Sequence, residues 1–205
     1  MSQENLNPFR QPDTQNPPEQ AVRGLSVVQI VVLTAFCVAA VCTRLIDSHM
    51  PNLSCLGAVA LFCGSALRGP KWLLLPLAIR VVTDIVIHLK TGYGFFPSWP
   101  FDYSAYVLIW AVGLYVPKKR YTAVLAGAAG SVVIYFLLSN FGVWLIWPDT
   151  YPRTLAGLTE CYVNAVPFAR GTVMGNLIAA PVFFAAWNAV SAGVPSVSSL
   201  SEERC

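Results

Sequence analysis

The sequence predicts an all-α protein: a polytopic transmembrane bundle of about six helices with both termini on the inner side. Three observations carry that prediction. Of 205 residues, 56% are hydrophobic and only 11% charged, where a soluble domain carries about 25% charged residues; the mean hydropathy is +0.58. Apolar runs near the roughly 20 residues that cross a bilayer recur along the chain. Lysine and arginine gather on alternate connections, as membrane orientation requires. The net charge of +3 is small, and no basic stripe interleaved with aromatics marks a nucleic-acid surface.

The elements follow in order. Residues 1–24 are polar and rich in Pro, Gln and Asn, too poor in apolar surface to order themselves, and are expected to be a disordered tail. Residues 25–190 form the transmembrane domain. Its first run, 25–46, exceeds a signal-peptide core in length and precedes further spans, so it is expected to be retained. The other spans are 53–67, 72–89, 103–116, 121–147 and 169–190. The second and fourth are short, and the fifth is long enough to tilt. Residues 191–205 are a short polar tail. With the N-terminus inside, the inner segments hold Arg10, Arg23, Arg68, Lys71, Lys118, Lys119, Arg120 and Arg204, and the outer connections hold Arg44, Lys90, Arg153 and Arg170. The turn Lys118–Lys119–Arg120 after Pro117 is the strongest anchor, and an even number of spans places both termini inside.

The third span carries Arg80, Asp84 and His88 within LLLPLAIRVVTDIVIHL. Spacing of i, i+4, i+8 places them along one helical stripe, rising from mid-membrane toward the outer end. Ionisable groups at this depth normally face a bundle interior or a wet cavity and mark a functional site. Two readings stand: a binding site or relay open to the outside, or an Arg80–Asp84 pair that locks the bundle. The outer connections are the chemically rich ones. They supply His49 and Asn52, an aromatic segment from Gly92 to Tyr103, and a long loop from Pro148 to Pro167 with Glu160, Cys161 and Asn164. Asn140 and Asn176 lie within spans and either bond across helices or reach the same region.

Small residues at i, i+4 (Ala35 and Ala39, Ala60 and Gly64, Ala126 and Gly130) allow close helix approach. Cys37, Cys42 and Cys63 read as packing residues. No C-x-x-C pair occurs, and no metal site is assigned. G-x-S-x-G, H-E-x-x-H and a Gly-Lys-Ser/Thr phosphate loop are all missing from the sequence, so no catalytic residue and no cofactor are assigned. An acid–base pair of Asp84 and His88 is the chemistry a membrane enzyme would use here.

The run His49-Met-Pro-Asn52, followed by Ala58-Val-Ala-Leu-Phe-Cys-Gly64, resembles the start of DUF6580, a bacterial membrane family of unknown function described as candidate transport proteins. Pro76-Leu77 with Asp84, Asn140-Phe-Gly-Val-Trp144, and Tyr151-Pro-x-Thr-x-x-Gly-Leu-x-x-Cys-Tyr-x-x-Ala-x-Pro-Phe168 extend the resemblance over about residues 44–190. Cys55 and Arg80 depart from the pattern, which moves weight for a shared role to Asp84. The family is similar in architecture to the substrate-capture (S) subunits of energy-coupling-factor transporters. That similarity implies six helices, a pocket at the outer side capped by loops, and a first helix whose small residues, here Ala35 and Ala39, dock a coupling subunit.

The expected function is capture of a small molecule, a vitamin or its precursor, at the outer face of the bacterial inner membrane. Asp84, His88, Arg80, His49, Asn52, Asn140, Glu160 and Asn164 would line the site. A membrane coupling subunit and ATPases would supply the energy. The alternatives are the Asp84/His88 enzyme and a non-catalytic structural subunit.

Overall fold

A computed structural model of the chain describes residues 25–46, 52–92 and 94–192. The two tails and His49 lie outside these residues. The described residues form seven α-helices, α1 (Val27–Leu45), α2 (Leu56–Phe62), α3 (Leu74–Thr91), α4 (Trp99–Gly113), α5 (Tyr121–Ile146), α6 (Leu155–Ala165) and α7 (Ala169–Ala192), with short π and 3-10 turns between some of them and no strand. Helix α1, residues 70–91, helix α5 and residues 155–192 are long and apolar enough to cross a membrane.

Helix α1 begins at a capping box. The Ser26 hydroxyl accepts from the Gln29 backbone N–H, and the Gln29 side chain accepts from the Ser26 N–H, which satisfies two of the donors a helix start leaves unpaired. Its Leu33, Phe36 and Ala40 face inward, while Val27, Val28, Ile30, Val31 and Val38 are exposed. An apolar outer face of this kind suits lipid rather than water.

Helix α2 is the centre of the fold: every residue from Leu56 to Phe62 is buried. A helix apolar on all sides belongs inside a bundle, which accounts for the shortness of the second span. It continues through a π turn, Cys63–Leu67, and stops at Arg68 (φ 43°) and Gly69 (φ 152°). Around it Phe36, Phe62, Phe183, Phe184 and Trp187 form an aromatic core. Phe36 stacks on Phe183 with ring centroids 4.1 Å apart and meets Phe62 edge-on at 5.2 Å. Gly64 and Gly113 let α4 cross the π turn in backbone contact: a Cβ on Gly64 would strike the Trp110 carbonyl, and one on Gly113 the Leu61 carbonyl. The Ala60/Gly64 pair is thus buried at a crossing, whereas Gly130 has open space beside it.

Hydrogen bonds define two ends of the bundle. At one end, the Ser65 hydroxyl donates to the Val116 carbonyl (2.6 Å), Asn188 to the Lys118 carbonyl (2.8 Å) and Gln29 to Ser191 (3.3 Å). The basic turn 118–120 lies there. At the other, the C-terminal ends of α1, α3 and α5 meet the N-terminal ends of α2, α4 and α7.

Two elements depart from the sequence expectation, both at that second end. Helix α4 starts at Trp99 rather than near residue 103, because Pro100 sits in the first turn, where a missing N–H breaks no helical bond. The loop expected over Pro148–Pro167 contains α6. Thr154 caps it by accepting from the Gly157 N–H (3.1 Å). It is tied to α5 by Trp144 Nε1 donating to the Pro152 carbonyl (3.0 Å), Arg153 to the Leu145 carbonyl (2.9 Å) and the Tyr162 hydroxyl to the Leu137 carbonyl (2.8 Å). Arg153 thereby satisfies a carbonyl at the negative end of α5.

Candidate functional site

Helix α3 points Arg80 and Asp84 into the bundle, where they are 8% and 1% exposed. Two residues from other helices complete a buried ionic tetrad. Arg44, at the end of α1, donates from Nη2 to Asp84 Oδ1 (2.7 Å) and from Nε to Thr83 Oγ1 (2.8 Å). Arg80 donates from Nε to Asp84 Oδ2 (2.8 Å) and from Nη2 to Asp102 Oδ2 on α4 (3.1 Å). The Tyr103 hydroxyl donates to Asp84 Oδ2 (3.1 Å). The Arg80 guanidinium also lies 5.8 Å and 6.0 Å from the ring centroids of Tyr103 and Tyr106. Two arginines and two aspartates sum to zero. That neutrality, with both Asp84 oxygens occupied, is what lets four ionic groups leave water.

Asn176 of α7 is a second polar junction. Its Oδ1 accepts from the Ala58 N–H (2.6 Å), and its Nδ2 donates to the carbonyls of Ser54 (3.2 Å) and Thr172 (2.8 Å). It supplies in trans the cap that α2 lacks from its own N-cap, Cys55.

Two cavities flank these junctions at the same end of the bundle. The smaller, about 220 Å³, is lined by Arg44, Ser54, Tyr106, Ser131 and Asn176 among others. The larger, about 400 Å³, lies between α4, α5, α6 and the start of α7. Its walls include Phe96, Asp102, Phe136, Asn140, Trp147 and Asn164. Asn52, Tyr135 and Thr172 line both. Asn52 holds φ 58°, a left-handed conformation asparagine tolerates better than most residues. Its carbonyl accepts from the Thr172 hydroxyl (3.1 Å), fixing the approach to α2 against α7.

The residues singled out from sequence therefore divide. Arg80 and Asp84 lie in the tetrad and line neither cavity. Asn52, Asn140 and Asn164 line the larger one. His88 is exposed, with its ring 6.0 Å from Phe95, and Glu160 is exposed on α6; neither lines either of these two cavities. Ala35 faces outward, while Ala39 packs partly against the core. Cys55 and Cys161 are free thiols. Sequence reasoning missed Arg44, which counted as an outer-connection charge, and Asp102, which fell in a loop. Hydrogen-bonding capacity was the available signal: a buried arginine carries five N–H donors and a buried aspartate two acceptor oxygens, more than a single pair between them uses, and Arg44 and Asp102 lie near the adjoining span ends.

A helical bundle with helices of membrane-spanning length and an ionic tetrad inside it defines a membrane-type protein with a polar interior. The chain belongs to DUF6580, a family of unknown function, which it matches over residues 26–197, so the match takes in α1 as well. No curated protein and no solved structure matches the chain.

Proposed function

We propose that this protein captures a small molecule at the outer face of a bacterial inner membrane and passes it onward with energy from partner subunits. The observation that carries the reading is the larger cavity. At about 400 Å³ it falls in the range of small-ligand sites, roughly 300–1,000 Å³, and it combines aromatic walls with convergent amides from Asn52, Asn140 and Asn164. In this reading the chain crosses the membrane six times with both termini inside. The basic turn 118–120 marks the inner end and α6 covers the outer mouth. The energy-coupling-factor S subunits offer the architectural parallel; Ala35 on the outward face of α1, with Ala39 partly packed behind it, would then meet a coupling subunit served by ATPases.

The tetrad acts as the frame of this site. Asp84 is nearly closed to solvent and bonded at both oxygens, so it positions α1, α3 and α4 rather than meeting the ligand. The same saturation, with His88 exposed outside both cavities, disfavours acid–base catalysis by that pair. Native mass spectrometry of the full-length protein purified in mild detergent tests the reading. A single small molecule should be retained by the wild type and lost from Val132→Trp, which fills the larger cavity. A bare protein mass in both would overturn it.

A further inference from the structure

The walls of the larger cavity carry information on the charge of its occupant. Among the described residues lining it, Asp102 is the sole carboxylate and there is no Arg, Lys or His. The four tetrad members differ in how fully they are compensated. Asp84 forms two ion pairs, to Arg44 and Arg80, and its side chain is 2% exposed. Asp102 forms one, the longest of the three at 3.1 Å, and its side chain is 15% exposed. Arg80 is shared between both carboxylates. Negative potential is therefore left over at Asp102, on the cavity side. Around it stand Phe96, Phe136, Trp147, Tyr151 and Phe168, with Phe96 and Trp147 edge-on at 6.4 Å between centroids. Aromatic faces attract cations through their quadrupole, and most strongly where water is excluded. An anionic ligand would meet this carboxylate with no described basic side chain in the cavity wall to answer it.

We propose that the larger cavity takes a flat ring compound carrying a positive charge, with Asp102 reading the charge, the aromatic walls reading the ring, and Asn140 and Asn164 reading its polar edge. This rests on the capture reading and names the class of molecule captured. The test is isothermal titration of the full-length protein, freed of retained molecules, with three probes that share a phenyl ring and differ in the charge of its substituent: benzyltrimethylammonium, benzyl alcohol and benzoate. The expected order is cation, alcohol, benzoate, with the cation about tenfold or more tighter than benzoate. Asp102→Asn should bring cation and alcohol within about twofold of each other. Trp147→Leu, which leaves the tetrad untouched, should weaken the cation about threefold or more, and Val132→Trp should abolish its binding. Benzoate binding as tightly as the cation, binding of none of the three, or cation binding that Val132→Trp leaves intact would each overturn the proposal. If Asp102→Asn does not fold, the wild-type order and Trp147→Leu decide. Failure here beside a molecule retained in the mass spectrum refutes the ligand class alone; failure of both refutes capture.

Discussion

Replacing Asp84 by Asn keeps the shape of the side chain and removes the charge that holds two arginines. Arg44 then loses its ion pair, although its side chain is only 11% exposed; Arg80 retains Asp102 at 3.1 Å. Removing one partner of a buried pair costs about 3–5 kcal/mol, because the remaining charge stays desolvated without compensation. Arg44→Gln is milder. Asp84 keeps Arg80 and Tyr103, and the expected loss is about 1–3 kcal/mol, the scale of a lost charged hydrogen bond. The double variant removes a positive and a negative charge together and leaves Arg80 with Asp102 as a neutral pair. Its cost should fall short of the sum of the single costs by about 2–3 kcal/mol, near the top of the range for contacting residues. The assay is a double-mutant cycle in reversible detergent-micelle unfolding, repeated at low and high salt. Coupling within a buried tetrad should change little with salt, since screening acts on exposed charges. Single-variant costs that add to within about 0.5 kcal/mol would refute the tetrad as a coupled unit.

Two further outcomes test the packing that holds the site. Gly64→Ala and Gly113→Ala each drive a Cβ into a facing backbone carbonyl and should cost about 1–3 kcal/mol in the same assay, whereas Gly130→Ala, beside open space, should be neutral or stabilising by about 0.5–1 kcal/mol; equal effects at all three would refute the α2–α4 crossing. Asn176→Ala strips the cap from the Ala58 N–H and leaves the Ser54 carbonyl without its side-chain donor, for an expected loss of about 1–3 kcal/mol and a measurable rise in hydrogen exchange at Ala58; an unchanged exchange rate there would count against the trans cap.

The long helices were legible because hydropathy sets them. The span expected at 25–46 is α1 at Val27–Leu45, and that at 121–147 is α5 at Tyr121–Ile146. The misplaced elements are those where local chemistry overrides hydropathy. Trp99-Pro100 starts α4 inside an aromatic stretch that looks like a loop. Thr154 caps α6 in a segment too polar to resemble a span. The shared face of Arg80, Asp84 and His88 was only partly right, for a geometric reason. Each i to i+4 step advances about 400°, so the stripe drifts by roughly 40° per step and about 80° from Arg80 to His88. Arg80 and Asp84 stay inside, and His88 turns out to the surface. Arg44 and Asp102 were hidden because their partners come from other helices, and a pattern within one helix carries no record of its neighbours.

Asp84, the residue weighted most from the sequence, and Asn176 have little capacity left for a ligand. Asp84 has both oxygens bonded, and Asn176 uses its oxygen and its amide on backbone groups. For either to bind a captured molecule, one of these bonds would have to break, at a cost comparable to the affinity gained. The larger cavity is bounded instead by groups less fully committed. Asn140 spends one donor on the Phe136 carbonyl of its own helix (2.7 Å), Asn164 is exposed at the cavity wall, and Asp102 carries a single ion pair. A ligand can be recognised by groups with spare hydrogen-bonding or electrostatic capacity, held in place by groups that have none. In the capture reading proposed above, this division gives binding to the wall residues of α4, α5 and α6, and gives the buried charges the part of keeping that wall in place.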